Sequence, residues 1–195
     1  NFSQVTNPPI DSLRENEVMS LKTRFGNLRN ILDFENVPKD NIYVLESPIL
    51  SNSQFEKFTV FFKNNLRVLD CTFNVQNNLK ERLDQLSFEA EIAVREGCKH
   101  LILSDKQLSE KKAAVPMILA FGAINSKLVN LGIRGFVSIN VQTGEVLDTH
   151  SFAVLLGIGA TTINPYLAFD SIYQRYEKKL FGKFSYAECI QRYIK

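Results

Sequence analysis

One short pattern repeats along the second half of the chain and limits the folds it can adopt. A helical stretch ends at a glycine, two or three residues follow, and an apolar strand then ends on a polar residue. The pattern occurs at Gly97 before LILSD, at Gly132 before FVSIN and at Gly159 before TTIN. Apolar strands that alternate with helices are typical of parallel sheets in α/β proteins. We therefore expect an α/β fold with a mostly parallel sheet.

Five apolar runs are predicted to be strands, at 42–47, 66–73, 99–105, 135–141 and 160–164. Helices are predicted between and after them, at 53–64, 79–96, 116–131, 151–159, 166–179 and 185–194. About five strands favour an open sheet or a partial TIM-type barrel, because a complete eight-stranded barrel typically takes about 250 residues. We expect one domain over 1–195, with an irregular arm at 1–41 and an α/β core at 42–195.

Local signals mark where several helices begin. Ser53 with Glu56, and Ser185 with Glu188, have the spacing of a capping box, and Asn78 is a predicted N-cap. In the arm, the Asn-Pro-Pro at 7–9 favours extended backbone, a short helix is predicted over 13–21, and 23–41 is predicted to be mostly loop.

Composition excludes several classes of protein. The chain has 15 Phe and 6 Tyr and a net charge of +2, so it is neither a disordered chain nor strongly basic. We expect no nucleic-acid partner and no membrane partner, since no apolar run reaches the roughly 20 residues of a membrane span. The chain starts at Asn1 and its first methionine is Met19, so we expect a piece of a longer polypeptide.

Residues that could carry chemistry are few and scattered. Asp70, Asp105, Asn140 and Asn164 lie near predicted strand ends, where Asp and Asn also serve as ordinary loop and capping residues. The two histidines, at 100 and 150, have no second ligand at metal-binding spacing, and the three cysteines, at 71, 98 and 189, form no CxxC pair. From these patterns we expect no catalytic, cofactor-binding or metal site in the segment.

Several longer strings resemble a known family, in the same order along the chain. They are QVTNPPIDSLRENEVMSL (4–21), LESPIL (45–50), EAEIAVREGCKHLILSD (89–105) and GEVLDTHSFAVLLGIGATTINPYLAFDSI (144–172). They resemble the central domain of the large chain of glutamate synthase. The resemblance covers nearly the whole chain, and it implies a rudimentary relative of a flavin-binding barrel.

The resemblance also implies a role beside two catalytic domains. In that family a glutaminase domain precedes the central domain and an FMN-binding synthase domain follows it, with an iron–sulfur cluster. The central domain joins the two and lines part of an intramolecular ammonia tunnel. The Thr-Asn pair that borders the tunnel entrance falls on Thr6 and Asn7. FMN and the cluster are therefore expected in the parent enzyme, with none in this segment.

Two alternatives remain open from the sequence. The chain could be a stand-alone flavin- or phosphate-binding enzyme with a partial barrel, or a diverged module that only mediates interactions. For Thr6 and Asn7 two interpretations also stay open: they line the tunnel, as the resemblance to glutamate synthase implies, or they only shape the turn before Pro8. The resemblance implies a cytoplasmic protein, or a plastid one if the parent is a ferredoxin-dependent form.

Overall fold

The computed structural model describes residues 20–25 and 43–194. The chain divides into two compact units, Asn1–Pro48 and Ile49–Lys195. In the first unit, β1 (Thr23–Phe25) and β2 (Tyr43–Leu45) form an antiparallel pair. The predicted loop at 23–41 thus begins with a strand, and the strand predicted at 42–47 pairs with it instead of joining the parallel sheet. The helix predicted over 13–21 falls almost entirely outside the described residues.

The second unit alternates strands and helices. In chain order its elements are α1 (Asn52–Phe61), β3 (Leu66–Asp70), β4 (Thr72–Asn74), α2 (Leu79–Arg95), β5 (His100–Ser104), β6 (Lys112–Ala114), α3 (Met117–Asn130), β7 (Ser138–Gln142), α4 (Thr149–Gly157), β8 (Thr162–Asn164), α5 (Tyr166–Glu177) and α6 (Tyr186–Ile194). Short 3₁₀ helices cover Lys63–Asn65 and Arg134–Phe136.

Four of these strands form one parallel sheet in the order β3-β5-β7-β8. The α/β prediction is confirmed, with four parallel strands where about five were expected. Ile49 makes a single parallel bridge to Ile163 and so extends the sheet beyond β8. The edge strands β3 and β8 do not pair with each other, so within the described residues the sheet is open, as in a partial barrel.

The two faces of this sheet differ in character, because side chains alternate along each strand. One face is apolar and packs under α2, α3 and α4; its strand residues are Leu69, Leu101, Leu103, Ile139, Val141 and Ile163. The other face is mostly polar; its residues on β5, β7 and β8 are His100, Ile102, Ser104, Ser138, Asn140, Gln142, Thr162 and Asn164. Burying one large apolar side chain contributes roughly 1.5–3 kcal/mol, so each of these strand residues adds to the stability of the unit.

The glycines of the repeated pattern are needed for their backbone geometry. Gly97, Gly132 and Gly159 have φ angles of 91°, 70° and 109°. A positive φ costs little only for glycine, and in each case it lets the chain leave a helix and enter the next strand. The repeated turn that was predicted from the sequence is therefore confirmed three times.

Local details differ from the predictions at two places. Helix α1 begins after Ser51, whose Oγ accepts a hydrogen bond from the Gln54 amide at 3.3 Å. The capping box is therefore formed by Ser51 and Gln54, two residues before the predicted pair Ser53 and Glu56. The stretch between the predicted strand at 99–105 and the predicted helix at 116–131, for which no element was expected, contains β6, which pairs antiparallel with β4. Asn78 caps α2 as predicted and accepts from the Lys80 amide at 2.8 Å.

Candidate functional site

The two residues assigned to the tunnel, Thr6 and Asn7, lie outside the described residues. Their role therefore stays a prediction. The described residues with candidate chemistry are those at the carboxyl edge of the parallel sheet, where α/β proteins place their functional groups. Two polar clusters lie there, and a third polar group lies beside them at the end of β3.

The first cluster is a hydrogen-bonded row across the ends of β5, β7 and β8. Ser104 Oγ donates to Gln142 Oε1 at 2.8 Å, and Gln142 Nε2 donates to Asn164 Oδ1 at 3.2 Å. Asn164 Nδ2 in turn donates to the Leu50 carbonyl at 2.9 Å and to Asn52 Oδ1 at 3.0 Å. This row joins the start of α1 to the sheet, so its amides are occupied by structural contacts.

The second cluster is built around Asp105, which is 1% exposed. Its carboxylate accepts from the Thr143 hydroxyl and from the Gly144 amide, the latter at 3.1 Å and 3.2 Å to its two oxygens. Burial, together with the negative charge of the nearby Asp105, raises the pKa of Tyr166 to about 12. Tyr166 therefore keeps its proton and is neutral at physiological pH.

This cluster bears on the possibility of a phosphate-binding site. A phosphate site in such a fold uses free backbone amides of a glycine-containing loop at the sheet edge. Here the Gly144 amide is already directed at the Asp105 carboxylate. A second anion at this position would face a buried negative charge, so the residues present do not fit a flavin phosphate.

The third polar group surrounds Arg82 on α2. Its guanidinium donates to the Asp70 carbonyl at 2.7 Å and to the Thr72 carbonyl at 3.2 Å, and it pairs with Glu89 at 2.8 Å. The Asp70 carboxylate accepts from the Thr72 hydroxyl and pairs with Lys112 at 3.3 Å. These bonds attach the β4–β6 pair to α2. They also pair the carboxylates of Glu89 and Asp70 with cations, so neither carboxylate is free to act as a general base.

The histidines do not form a catalytic pair. His100 is buried, its Nδ1 lies 2.8 Å from Ser138 Oγ, and its ring lies 4.0 Å from the ring of Phe62. Burial, with a smaller contribution from Lys99, lowers the pKa of His100 to about 4. A general base works best with a pKa near the operating pH, so His100 is a neutral packing residue. His150 is exposed in the first turn of α4, whose N-cap is Asp148.

The cysteines are poor candidates for nucleophiles. Burial raises the pKa of the Cys71 thiol to about 12 and also raises the pKa of Cys98. A thiol acts through its thiolate, and a raised pKa leaves almost none at pH 7. Cys189 is buried in α6.

Two further properties concern the described part of the chain alone. Within residues 20–25 and 43–194, no three His, Cys, Asp or Glu side chains are grouped so that they could hold a metal ion. In the same ranges no helix has the length and hydropathy required to span a bilayer.

One feature that the sequence did not predict is a groove between α5 and α6. It has a volume of about 450 Å³ and is lined mostly by apolar side chains, among them Ile172, Phe181 and Phe184. Arg175 and Arg192 also line it. The helical spacing of Cys189 and Tyr193 indicates an inward face on α6, but nothing in the local sequence shows that a groove remains beside it.

Comparison with known proteins identifies relatives over the whole chain. Residues 1–195 match the family model described as glutamate synthase central domain. The chain is 46% identical to the large chain of NADPH glutamate synthase from Azospirillum brasilense, over 100% of this chain and 13% of that protein. It is 40% identical to the chloroplastic ferredoxin-dependent glutamate synthase of Oryza sativa subsp. japonica, over 89% of this chain and 11% of that protein.

A third relative also matches this chain over its full length. The large chain of NADPH glutamate synthase from Bacillus subtilis (strain 168) is 36% identical, over 100% of this chain and 13% of that protein. The chain thus spans about 13% of the length of the curated relatives that it matches over its full length.

Proposed function

The chain belongs to the glutamate synthase central domain family, and from that premise we propose that it joins a glutaminase domain to an FMN-binding synthase domain of one parent polypeptide. The single observation that carries the proposal is the family match over residues 1–195. The relatives are far longer than this chain, which is consistent with further domains in the same polypeptide. The parent would make L-glutamate from glutamine and 2-oxoglutarate, with FMN and an iron–sulfur cluster held outside this segment.

The described residues support a connecting role over a catalytic one. The buried polar groups at the carboxyl edge of the sheet bond to one another, and no buried side-chain nitrogen or oxygen among the described residues lacks a hydrogen-bond partner. The Asp105 carboxylate occupies the amide that a phosphate-binding loop would need free. These contacts stabilise the domain and leave the stand-alone flavin- or phosphate-binding alternative without a supporting observation.

The finer part of the proposal is that Thr6 and Asn7 line part of an ammonia tunnel. Ammonia must stay unprotonated to act as a nucleophile, so a conduit requires neutral groups that hydrogen-bond without donating a proton to it. A hydroxyl and a carboxamide meet this requirement, whereas a carboxylate would stabilise trapped ammonium. The proposal is therefore chemically consistent with the Thr-Asn pair at positions 6 and 7.

The tunnel role is tested in the complete parent enzyme by Thr6→Val. Valine has the shape of threonine without the hydroxyl, and Thr6→Ser is the matched control because it keeps the hydroxyl. We expect Thr6→Val to lower glutamate formation from glutamine while glutamate formation from added ammonia is retained, and Thr6→Ser to preserve both. Equal losses in the two reactions would contradict the tunnel role.

The location of the protein follows from the same proposal. We propose a cytoplasmic enzyme, or a plastid one if the parent is a ferredoxin-dependent form. Fluorescent tagging of the parent in its own cells would distinguish the two.

A further inference from the structure

We propose that the groove between α5 and α6 binds an acidic peptide segment of the same parent polypeptide, one that lies outside residues 1–195 and inserts an apolar side chain beside a carboxylate. The inference rests on the proposed linking role and assigns one surface to it. The groove has a volume of about 450 Å³, with apolar walls that include Ile172, Phe181 and Phe184. That volume accommodates one or two large apolar side chains.

Exposed apolar side chains surround the groove. Two of its lining residues, Phe184 and Leu147, are 43% and 58% exposed, and the exposed Tyr173 and Leu180 are the sequence neighbours of the lining residues Ile172 and Phe181. Single exposed apolar side chains are ordinary, but a cluster around a groove is typical of a protein–protein contact. This surface therefore has the features of an interface from which the partner is missing.

Two arginines indicate the charge of the partner. Arg175 and Arg192 line the groove, and neither makes an ion pair with a carboxylate among the described residues. The Arg192 guanidinium lies over the Phe184 ring, 4.2 Å from its centroid. Stacking of this kind orients the planar guanidinium and leaves its edge free to bind a carboxylate in a bidentate manner. An acidic residue is thus the expected ligand of these side chains.

The distribution of charge supports the same partner. Residues 166–195 contain six Lys and Arg against three Asp and Glu, whereas the rest of the chain has 17 Lys and Arg against 18 Asp and Glu. The part of the sequence that contains α5 and α6 therefore carries more positive than negative charge, whereas the rest of the chain does not. Complementary charge raises the rate of docking and disfavours basic partners.

The length of the relatives favours a segment of the same polypeptide over a separate protein. The chain spans about 13% of relatives such as the Azospirillum brasilense enzyme, so most of such a polypeptide is available as a ligand. A tethered segment has an effective concentration of roughly millimolar, which is enough to occupy a groove of modest affinity. A free protein would need a tighter interface to compete.

Photo-crosslinking in the complete parent enzyme tests the proposal. p-Benzoylphenylalanine replaces Phe184 on the wall of the groove, and as a matched control it replaces Phe88, which is 60% exposed on α2. After irradiation, peptide mass spectrometry is expected to show position 184 linked to one segment of the same polypeptide outside residues 1–195 that contains Asp or Glu. Position 88 is not expected to link to that segment.

The arginines are tested in the same background. Arg175→Glu with Arg192→Glu is expected to lower the yield of the crosslink by about tenfold or more, since like charges would then face each other. Replacing the acidic residue of the linked segment by Lys is expected to restore part of the yield. Lys57→Glu, at an exposed position on α1, controls for a general effect of charge reversal. Arg175→Gln, which only neutralises the charge, gives a milder variant if the double substitution does not fold.

Several results would overturn the proposal. These are a crosslink from position 184 to a second copy of the chain, a crosslink to a small molecule or a separate protein, or no crosslink above the level of position 88. The outcome is separable from the tunnel test. Loss of the crosslink would leave the comparison of Thr6→Val with Thr6→Ser intact, and failure of that comparison would leave the crosslink in place.

Discussion

Asp105→Ala is expected to be among the most destabilising single changes at the carboxyl edge of the sheet. Asp105 is 1% exposed and accepts hydrogen bonds from the Thr143 hydroxyl and the Gly144 amide. Alanine would leave these donors without their acceptor in a buried site. The loop after β7 would then lose its attachment to the end of β5.

The magnitude follows from the number of donors. A buried donor that loses its partner costs roughly 1–3 kcal/mol, and water entering the vacated space recovers part of it, so for the two donors we expect a loss of about 2–4 kcal/mol in the free energy of unfolding. The corresponding fall in Tm is roughly 10 °C for a chain of this size. Tyr166 Oη lies only 3.2 Å from the position that a Cβ on Gly144 would occupy, so the surroundings have little room to rearrange.

Urea unfolding followed by far-UV circular dichroism measures the effect, since the chain contains no Trp. Asp105→Asn is the conservative variant: its oxygen still accepts from the Gly144 amide, and we expect a loss below about 2 kcal/mol. Asp84→Ala is the matched control, because Asp84 is exposed on α2, and it should change stability by less than about 0.5 kcal/mol. If Asp105→Ala were no less stable than Asp84→Ala, the structural role given to Asp105 would be wrong.

Two further outcomes are expected of the isolated chain. The pKa of His100 is about 4 in the folded protein against 6.5 as its ordinary value, so the unfolded state binds more protons between these values. The contribution of neutral His100 to the free energy of unfolding is therefore complete above pH 6.5 and falls by up to about 3 kcal/mol as the pH drops to 4. Urea titrations at several pH values measure this dependence, and His100→Gln should make it flatter. Gly159→Ala forces a residue with a Cβ to a φ of 109°, so it should lower the free energy of unfolding by about 1–3 kcal/mol. Gly135→Ala is the control, because this glycine has open space around it and no positive φ, and it should change the free energy of unfolding by less than about 0.5 kcal/mol. Equal thermal shifts for the two glycine variants would refute the assignment of strain to Gly159.

The apolar periodicity and the glycines were sufficient to predict most of the second unit. The stripe on α2 illustrates the reason: Leu86, Ala90 and Ala93 recur at helical spacing and are all buried. The glycines at 97, 132 and 159 mark real turns because a positive φ is a local property of the backbone. Signals of this kind need no knowledge of the rest of the molecule.

The choice between Ser51 and Ser53 as the cap of α1 required the tertiary structure. Both serines are followed three residues later by Gln or Glu, so the local signal for a capping box is the same at each. Bonds from distant residues fix the start of the helix: the Leu50 amide donates to the Ile163 carbonyl at 2.8 Å, and Asn164 binds Asn52. The helix therefore begins at Asn52.

The sequence by itself determined the fold class, the alternation of helices with the strands of the parallel sheet, and the family. These depend on periodicity, on backbone preferences and on strings of residues that can be recognised without coordinates. Only the tertiary structure decided that β2 pairs with β1, that β6 pairs with β4, and that Arg175 and Arg192 line one groove. Strand pairing and side-chain clusters join residues that are far apart in the chain. Thr143 and Asp105, for example, are 38 positions apart and share a hydrogen bond. Such contacts depend on packing of the complete chain, which no local pattern encodes.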